Sequence, residues 1–296
     1  GAAGPSENAR IVLELDGSYT VYLGSAAVGQ GIQTIMAQIA GDALEVPFDR
    51  VRVLHGSTSH VKSGFGSFHS RSTVMGGSAI VLTAEALKDK IRDAVAPTLG
   101  CTPTEVTLDG GNASGPSGGV VSVMKVIGEP IEAEATFLNK KYTYAYGSVA
   151  AHVAVDPKTG QVDVLEIGST KDVGRMINPL TLNGQSVGSI VQGLGGALLE
   201  HLVYDKEGQL LTGTLADYLL PTAGDFPNIH STVVELKPSP LNPLGAKGAG
   251  EGEIIPIGGI IANAVAAALV DFNVEPLELP LSPPNVWRLI ETAQKT

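Results

Sequence analysis

The sequence predicts an α+β chain of two lobes, and three observations carry that expectation. Apolar residues alternate in short runs, as half-buried strands require, and recur at helical spacing in the longer runs between them. Glycine, 37 of 296 residues, gathers where those strands hand over to helices. A Gly/Ser-rich stretch at 109–119 then separates two such series, giving a first lobe over 1–118 and a second over 119–296.

In the first lobe, residues 10–14 and 18–23 read as strands about the Asp16-Gly17 turn. After AAVGQG, residues 32–44 carry helical spacing. A short strand at 51–54 leads into a polar loop at 56–68. A helix over 70–96 follows, its first turn small and glycine-rich, and then a turn and strand at 101–108. In the second lobe, 142–155 alternates, DPKTG turns the chain, and 162–170 returns as the partner strand. KDVGRMINPLTLNGQ reads as a loop before a small-residue helix at 186–202. DKEG marks a hairpin within 203–211, and 213–240 is loop-rich. A helix at 258–270 and a final one opened by Pro283 and Pro284 complete the chain.

Composition narrows the function. There are 19 Lys+Arg against 30 Asp+Glu, a net charge of -11, which argues against nucleic acid or an anionic membrane as partner. The longest apolar candidate, 254–270, is interrupted by Pro256, Gly258, Gly259 and Asn263 and is short for a bilayer. Residues 1–10 form a polar start without a secretory signal, so a cytoplasmic location is expected; with Gly rather than Met first, the true start is expected upstream. One cysteine, Cys101, supports neither an intrachain disulfide nor a cluster or zinc site held by this chain. The six histidines show no i, i+4 pairing, and His55 and His60 in HGSTSH read as loop polar groups rather than ligands.

Four glycine-rich turns, at 29–31, 66–78, 183–188 and 245–259, are each expected to meet a helix N-terminus. Unpaired N–H groups and a partial positive charge there suit a large anionic ligand. The bland alternative is that α/β and α+β chains place glycine at such junctions anyway. GAKGAGEGE (245–253) lacks the GxxxxGK[ST] spacing of a phosphate-binding loop, and no strand-like run precedes it. Its Glu251, in a glycine-rich turn among apolar neighbours, is expected to be partly desolvated and so to serve as a general base. A first-turn capping carboxylate is the alternative. Gln30 in VGQG and Gln185 in NGQ carry amides that both donate and accept, or are polar helix starts. Arg71 in HSRST, among hydroxyls, is an anion grip or a surface arginine beside a capped helix start. DVGRMINP offers Asp172, Arg175 and Asn178, read as a turn with an internal salt bridge.

Taken in order, VGQGIQTIMAQIAGDALEVPFDRVRV, FGSFHSRSTVMGGSA, DVGRMINPLTLNGQSVGSIVQGLGGALLEHL, DYLLPTA and PLGAKGAGEGEIIPIGGIIANAVAAAL resemble the xanthine oxidase family of molybdenum hydroxylases. Within it they are similar to the molybdopterin-binding subunits of the carbon monoxide dehydrogenase and bacterial N-heterocycle dehydrogenase type. The resemblance runs from about Asn8 to Trp287. It implies α/β-type lobes with mixed sheets and cofactor loops converging between them.

It also implies a function: hydroxylation of an electrophilic carbon of an N-heteroaromatic or aldehyde substrate with water as oxygen source, or else aerobic CO oxidation. Glu251 would be the base acting on a water-derived ligand of molybdenum. Gly29, Gln30 and Gly31 would contact the pterin and its phosphate, and Ser70, Arg71 and Ser72 would hold the pyrophosphate tail. Gln185 would reach the cofactor near the metal, flanked by Lys247, Gly248, Ala249 and Gly250. No side chain would ligate molybdenum, because the pterin dithiolene does. Implied cofactors are a molybdenum–pterin, as molybdopterin cytosine dinucleotide, with [2Fe–2S] and FAD in partner chains. Implied partners are the other molybdopterin-binding half or subunit, a flavin subunit and an iron–sulfur subunit.

Two departures stand out. The family's subunit is more than twice this length, so the chain is expected to hold half a site, as a split subunit or a fragment, and to be inactive alone. His69 stands where small residues are commoner. A non-catalytic anion- or nucleotide-binding protein, or a structural subunit, is the rival from another class.

Overall fold

The computed structural model describes residues 6–139 and 141–294. They form two units, each with its own core.

The first unit starts as expected. Strand β1 (Ser6–Leu13) pairs antiparallel with β2 (Tyr19–Leu23), and Asp16 fastens the turn by accepting from the Ser18 N–H and hydroxyl at 2.9 and 2.6 Å. Helix α1 (Ile32–Leu44) crosses over to β3 (Val51–His55), which lies parallel to β2. Helix α2 (Gly77–Leu99) follows a π-helical turn at Ser72–Gly76. Short strands β4 (Thr107–Asp109), β5 (Asn112–Ser114) and β6 (Val120–Ser122) form a small sheet of their own, and the turn of helix α3 (Val123–Val126) leads on to β7 (Ile131–Leu138). The main sheet runs β3-β2-β1-β7. Its buried Ile11, Leu13, Val21 and Leu23 pack with Met36 and Ile39 of α1 and Ile80, Leu87 and Ile91 of α2.

The expected boundary at 118/119 is corrected here. Residues 109–119 are not a connection between lobes but contribute to the β4-β5-β6 sheet. The first unit continues to Tyr144 and takes in Val173–Thr181 and Glu235–Gly248. The cause is β7, which pairs with β1 along its whole length, from Ser6 opposite Leu138 to Leu13 opposite Ile131. A domain cut before β7 would strip the sheet of an edge strand and leave backbone donors unpaired.

The second unit holds β8 (Tyr146–Val155), β9 (Val162–Asp172), most of α4 (Pro179–Leu198), β10 (Asn228–Val234), α5 (Ile254–Ala268) and α6 (Pro283–Ala293). Its sheet runs β10-β9-β8, with β9 parallel to β10 and antiparallel to β8. Both larger sheets are therefore mixed, as the α+β reading expects. Ile190 and Leu194 of α4, Ile257 and Ile261 of α5, Val286 and Ile290 of α6 and Ile167 of β9 make the core.

Helix α4 begins at Pro179 rather than at 186. Pro179 suits a first helical position, and the Asn178 side-chain oxygen accepts from the Thr181 N–H at 3.1 Å, capping the turn. Strand β10 lies within the stretch expected to be loop-rich. Among the described residues, no helix is long and apolar enough to cross a membrane.

Candidate functional site

The candidate loops fall in both units, and each set is built by local chemistry. In the first unit, Gly31 is the N-cap of α1 with φ +79°, and Gly29 sits at φ +100°. Such left-handed backbone is cheap only for glycine. The first turn of α1 has no side-chain cap, so its N–H groups lack that intramolecular acceptor. A side chain at Gly29 would meet nothing within 4 Å, so open space lies beside this turn. Gln30 does not extend freely from it. Its Oε1 accepts from the Val28 N–H at 2.6 Å and its Nε2 donates to the Ala26 carbonyl at 2.9 Å, which ties the loop to itself.

The HSRST loop is strained and anchored from inside. His69 and Ser70 have φ of 53° and 54°, a conformation L-residues adopt rarely and at a cost of about 1–3 kcal/mol each. The π-helical turn follows directly. Such features persist only where the surroundings over-determine them. Arg71 supplies that determination. It is 0% exposed and forms an ion pair with Glu7, which is 2% exposed. It also donates to the Ser6 carbonyl at 2.8 Å and the Gly66 carbonyl at 3.3 Å, and lies 5.0 Å from the Phe65 ring centroid. Arg71, read as an anion grip or a surface arginine, is thus buried between Ser70 and Ser72 in the chain and held from inside. His69 packs its ring 6.0 Å from Tyr142.

Lys247 is buried, and its N–H donates to the Val173 carbonyl at 2.8 Å beside the Gly174–Ala246 bridge. Gly174 is required there: a Cβ would stand 2.1 Å from the Gly245 carbonyl oxygen. Of the turn read as an internal salt bridge, Arg175 lies 3.5 Å from Asp42, and Asn178 donates to Gln38 at 2.9 Å.

In the second unit the structure brings Gln185 and Gly250 together. A Cβ on Gly250 would stand 3.2 Å from Gln185 Oε1. Gln185 lies inside α4, so the junction expected at 183–188 is not a helix N-terminus. Glu251 sits in the turn closed by the Gly252 N–H on the Ala249 carbonyl at 3.3 Å. Helix α5 starts only at Ile254, with Glu253 as N-cap. Glu251 therefore precedes the helix, and its first-turn capping reading falls. Its expected desolvation is also corrected: among the described residues Glu251 is exposed.

The residues missed from sequence lie beneath this turn. Lys171 Nζ donates to Glu253 Oε2 at 2.6 Å and to the Ala249 carbonyl at 3.0 Å. The Ser189 hydroxyl lies 3.2 Å from the same Glu253 oxygen. Burial pushes the Lys171 amine down from its usual value, and Glu253 opposes that shift. Glu253 was legible as the second carboxylate of GEGE, but nothing in the sequence pairs it with Lys171.

Among the described residues no group of three His, Cys, Asp or Glu could hold a metal ion. What the first unit does fit is an anionic group: open space lies beside Gly29, and the first turn of α1 has no side-chain cap.

Comparison with known proteins bears on that fit. The family model of the molybdopterin cofactor-binding domain matches residues 1–227. The gamma subunit of the 6-hydroxypseudooxynicotine dehydrogenase complex of Paenarthrobacter nicotinovorans is 36% identical over 92% of this chain and 36% of its own length. The nicotine 6-hydroxylase large subunit of the same organism is 33% identical over 95% of this chain and 36% of its own. The crystal structure of quinoline 2-oxidoreductase from Pseudomonas putida 86 superposes with a TM-score of 0.88 at 32% identity, covering 98% of this chain and 38% of that one. The chain thus spans little more than a third of the length of the relatives it matches.

Proposed function

The chain belongs to the molybdopterin cofactor-binding domain family, and from that premise we propose that it supplies the catalytic base and part of the cofactor cradle of a molybdenum hydroxylase. The proposed reaction is water-derived hydroxylation of an electrophilic ring carbon of an N-heteroaromatic substrate. The nicotine and quinoline named for its relatives support that substrate class, since both carry a ring nitrogen that makes a neighbouring carbon electrophilic. The observation that carries the proposal is Glu251: an exposed carboxylate in a glycine turn, outside the helix, following Gly250, whose Cβ position lies 3.2 Å from Gln185 Oε1.

When bound, the molybdenum–pterin group supplies the two-electron oxidation. The chain's own residues do the rest. The open Gly29–Gly31 turn and the first turn of α1 receive an anionic portion of the cofactor on backbone N–H groups. Ser70 and Ser72, on either side of the Arg71 anchor, add hydroxyl donors. Gln185 would offer an amide, and Lys247, Gly248, Ala249 and Gly250 would offer backbone groups to the cofactor. Glu251 would accept the proton of a water onto a carboxylate oxygen, and the rest of the complete protein would supply the desolvation for it. A pterin dinucleotide form, with flavin and iron–sulfur groups in partner chains in the cytoplasm, completes the reading, because a single cysteine gives this chain no means to hold a cluster.

Glu251→Gln in the complete assembled protein tests it. Turnover is expected to fall by about 10²–10⁴-fold, the usual worth of a general base, with molybdenum content unchanged. Retained turnover would remove Glu251 from the chemistry and favour a purely binding or structural role.

A further inference from the structure

We propose that Lys171 and Glu253 are positioning residues that fix the carboxylate of Glu251, an inference that rests on the reading of Glu251 as the base. The turn that carries Glu251 contains Gly248, Gly250 and Gly252. Glycine maximises backbone freedom and offers no side chain to pack, so within the turn Glu251 is restrained by one long backbone bond, from the Gly252 N–H to the Ala249 carbonyl at 3.3 Å. An external clamp is needed, and one is present.

Lys171, at the end of β9, is 5% exposed and Glu253 is 2% exposed. The lysine Nζ bonds the Ala249 carbonyl at 3.0 Å and Glu253 Oε2 at 2.6 Å. These partners lie two residues before and two residues after Glu251. One ammonium therefore grips both arms of the turn. The lysine stem runs beneath it, 3.7 Å from where a Cβ on Gly252 would stand. The Ser189 hydroxyl from α4 steadies the same carboxylate at 3.2 Å, one turn along the helix from Gln185.

Glu253 is the N-cap residue of α5, yet its side chain makes no capping hydrogen bond to the helix. It is turned to Lys171 instead. A buried ion pair is weak evidence for stabilisation, because apolar residues of similar volume often hold a fold equally well. What apolar residues cannot do is hold the Ala249 carbonyl. Displacements of about 1 Å in catalytic geometry cost about 10²-fold in rate, so a clamp here acts on turnover rather than on folding.

The test is Lys171→Met together with Glu253→Met in the complete protein, which removes both charges, strands neither, and deletes no helix-capping bond. Glu251→Gln is assayed in parallel. We expect kcat to fall by about 10²-fold, with KM, molybdenum content and Tm close to the parent protein. Hydrogen–deuterium exchange of peptides spanning 249–253 should accelerate at least about tenfold, as expected of a turn freed to open locally, while the rest of α5 is unchanged. Unchanged kcat and exchange would overturn the inference, and so would loss of molybdenum or of folded protein, since the pair would then be structural. If Glu251→Gln is silent, the reading of the base has failed instead, and exchange at 249–253 still reports whether the clamp exists.

Discussion

Arg71 and Glu7 illustrate what one buried charge pair commits a chain to. Both side chains are out of water, and each is the other's counter-charge. Glu7→Gln would strand the guanidinium, and an unfolding free energy lower by about 3–5 kcal/mol is expected, read by chemical denaturation. A loss under about 1 kcal/mol would mean that water reaches the arginine. A second residue-scale effect concerns pH. The Asp156 carboxyl is held below its usual 3.8 first by the Lys158 N–H and then by the Thr159 hydroxyl. A depressed folded value gives a contribution that is present above 3.8 and lost as pH falls through the folded value. The stability difference between the parent protein and Asp156→Ala should therefore shrink on acidification below that value, and a constant difference would contradict the assignment. At this scale sequence showed residue types and not partners. Arg71 was visible as a charge near hydroxyls, but its counter-ion, Glu7, lies 64 positions earlier, and Gln30 was visible as an amide without its grip on Val28 and Ala26.

Helices and strands were legible where their pattern is local. Helix α1 was expected at 32–44 and is found there, and the β8–β9 hairpin follows from DPKTG and the alternation on either side. Strand β7 was missed although Ile131, Ala133, Ala135 and Phe137 alternate, because acidic and small residues between them dilute the apolar signal. Strand β10 was missed because prolines on both sides suggested loop, while its pairing with β9 is long-range and parallel. Packing between helices is also invisible locally. At Gly193 of α4 a Cβ would stand 2.6 Å from Ile257 Cβ of α5. Gly193→Ala should separate these helices and lower stability by about 1–3 kcal/mol, seen as a lower Tm. An unchanged Tm would show that α5 shifts freely.

At the scale of the whole molecule, the family was readable because five short motifs recur in order, each weak alone. The course of the units was not, since the first unit gathers three separate stretches of chain. Glu251 sits exposed in this chain, and the proposed chemistry needs it covered. The chain covers little more than a third of the length of its relatives, and the proposed function leaves that cover to the complete protein. The most direct measurement is therefore the molybdenum and pterin content of the complete protein purified through this chain. About one molybdenum and one pterin per chain is expected of a module that supplies binding and orientation to a cofactor, in the parent protein and in Glu251→Gln alike. A folded, fully assembled protein that holds neither would contradict the account.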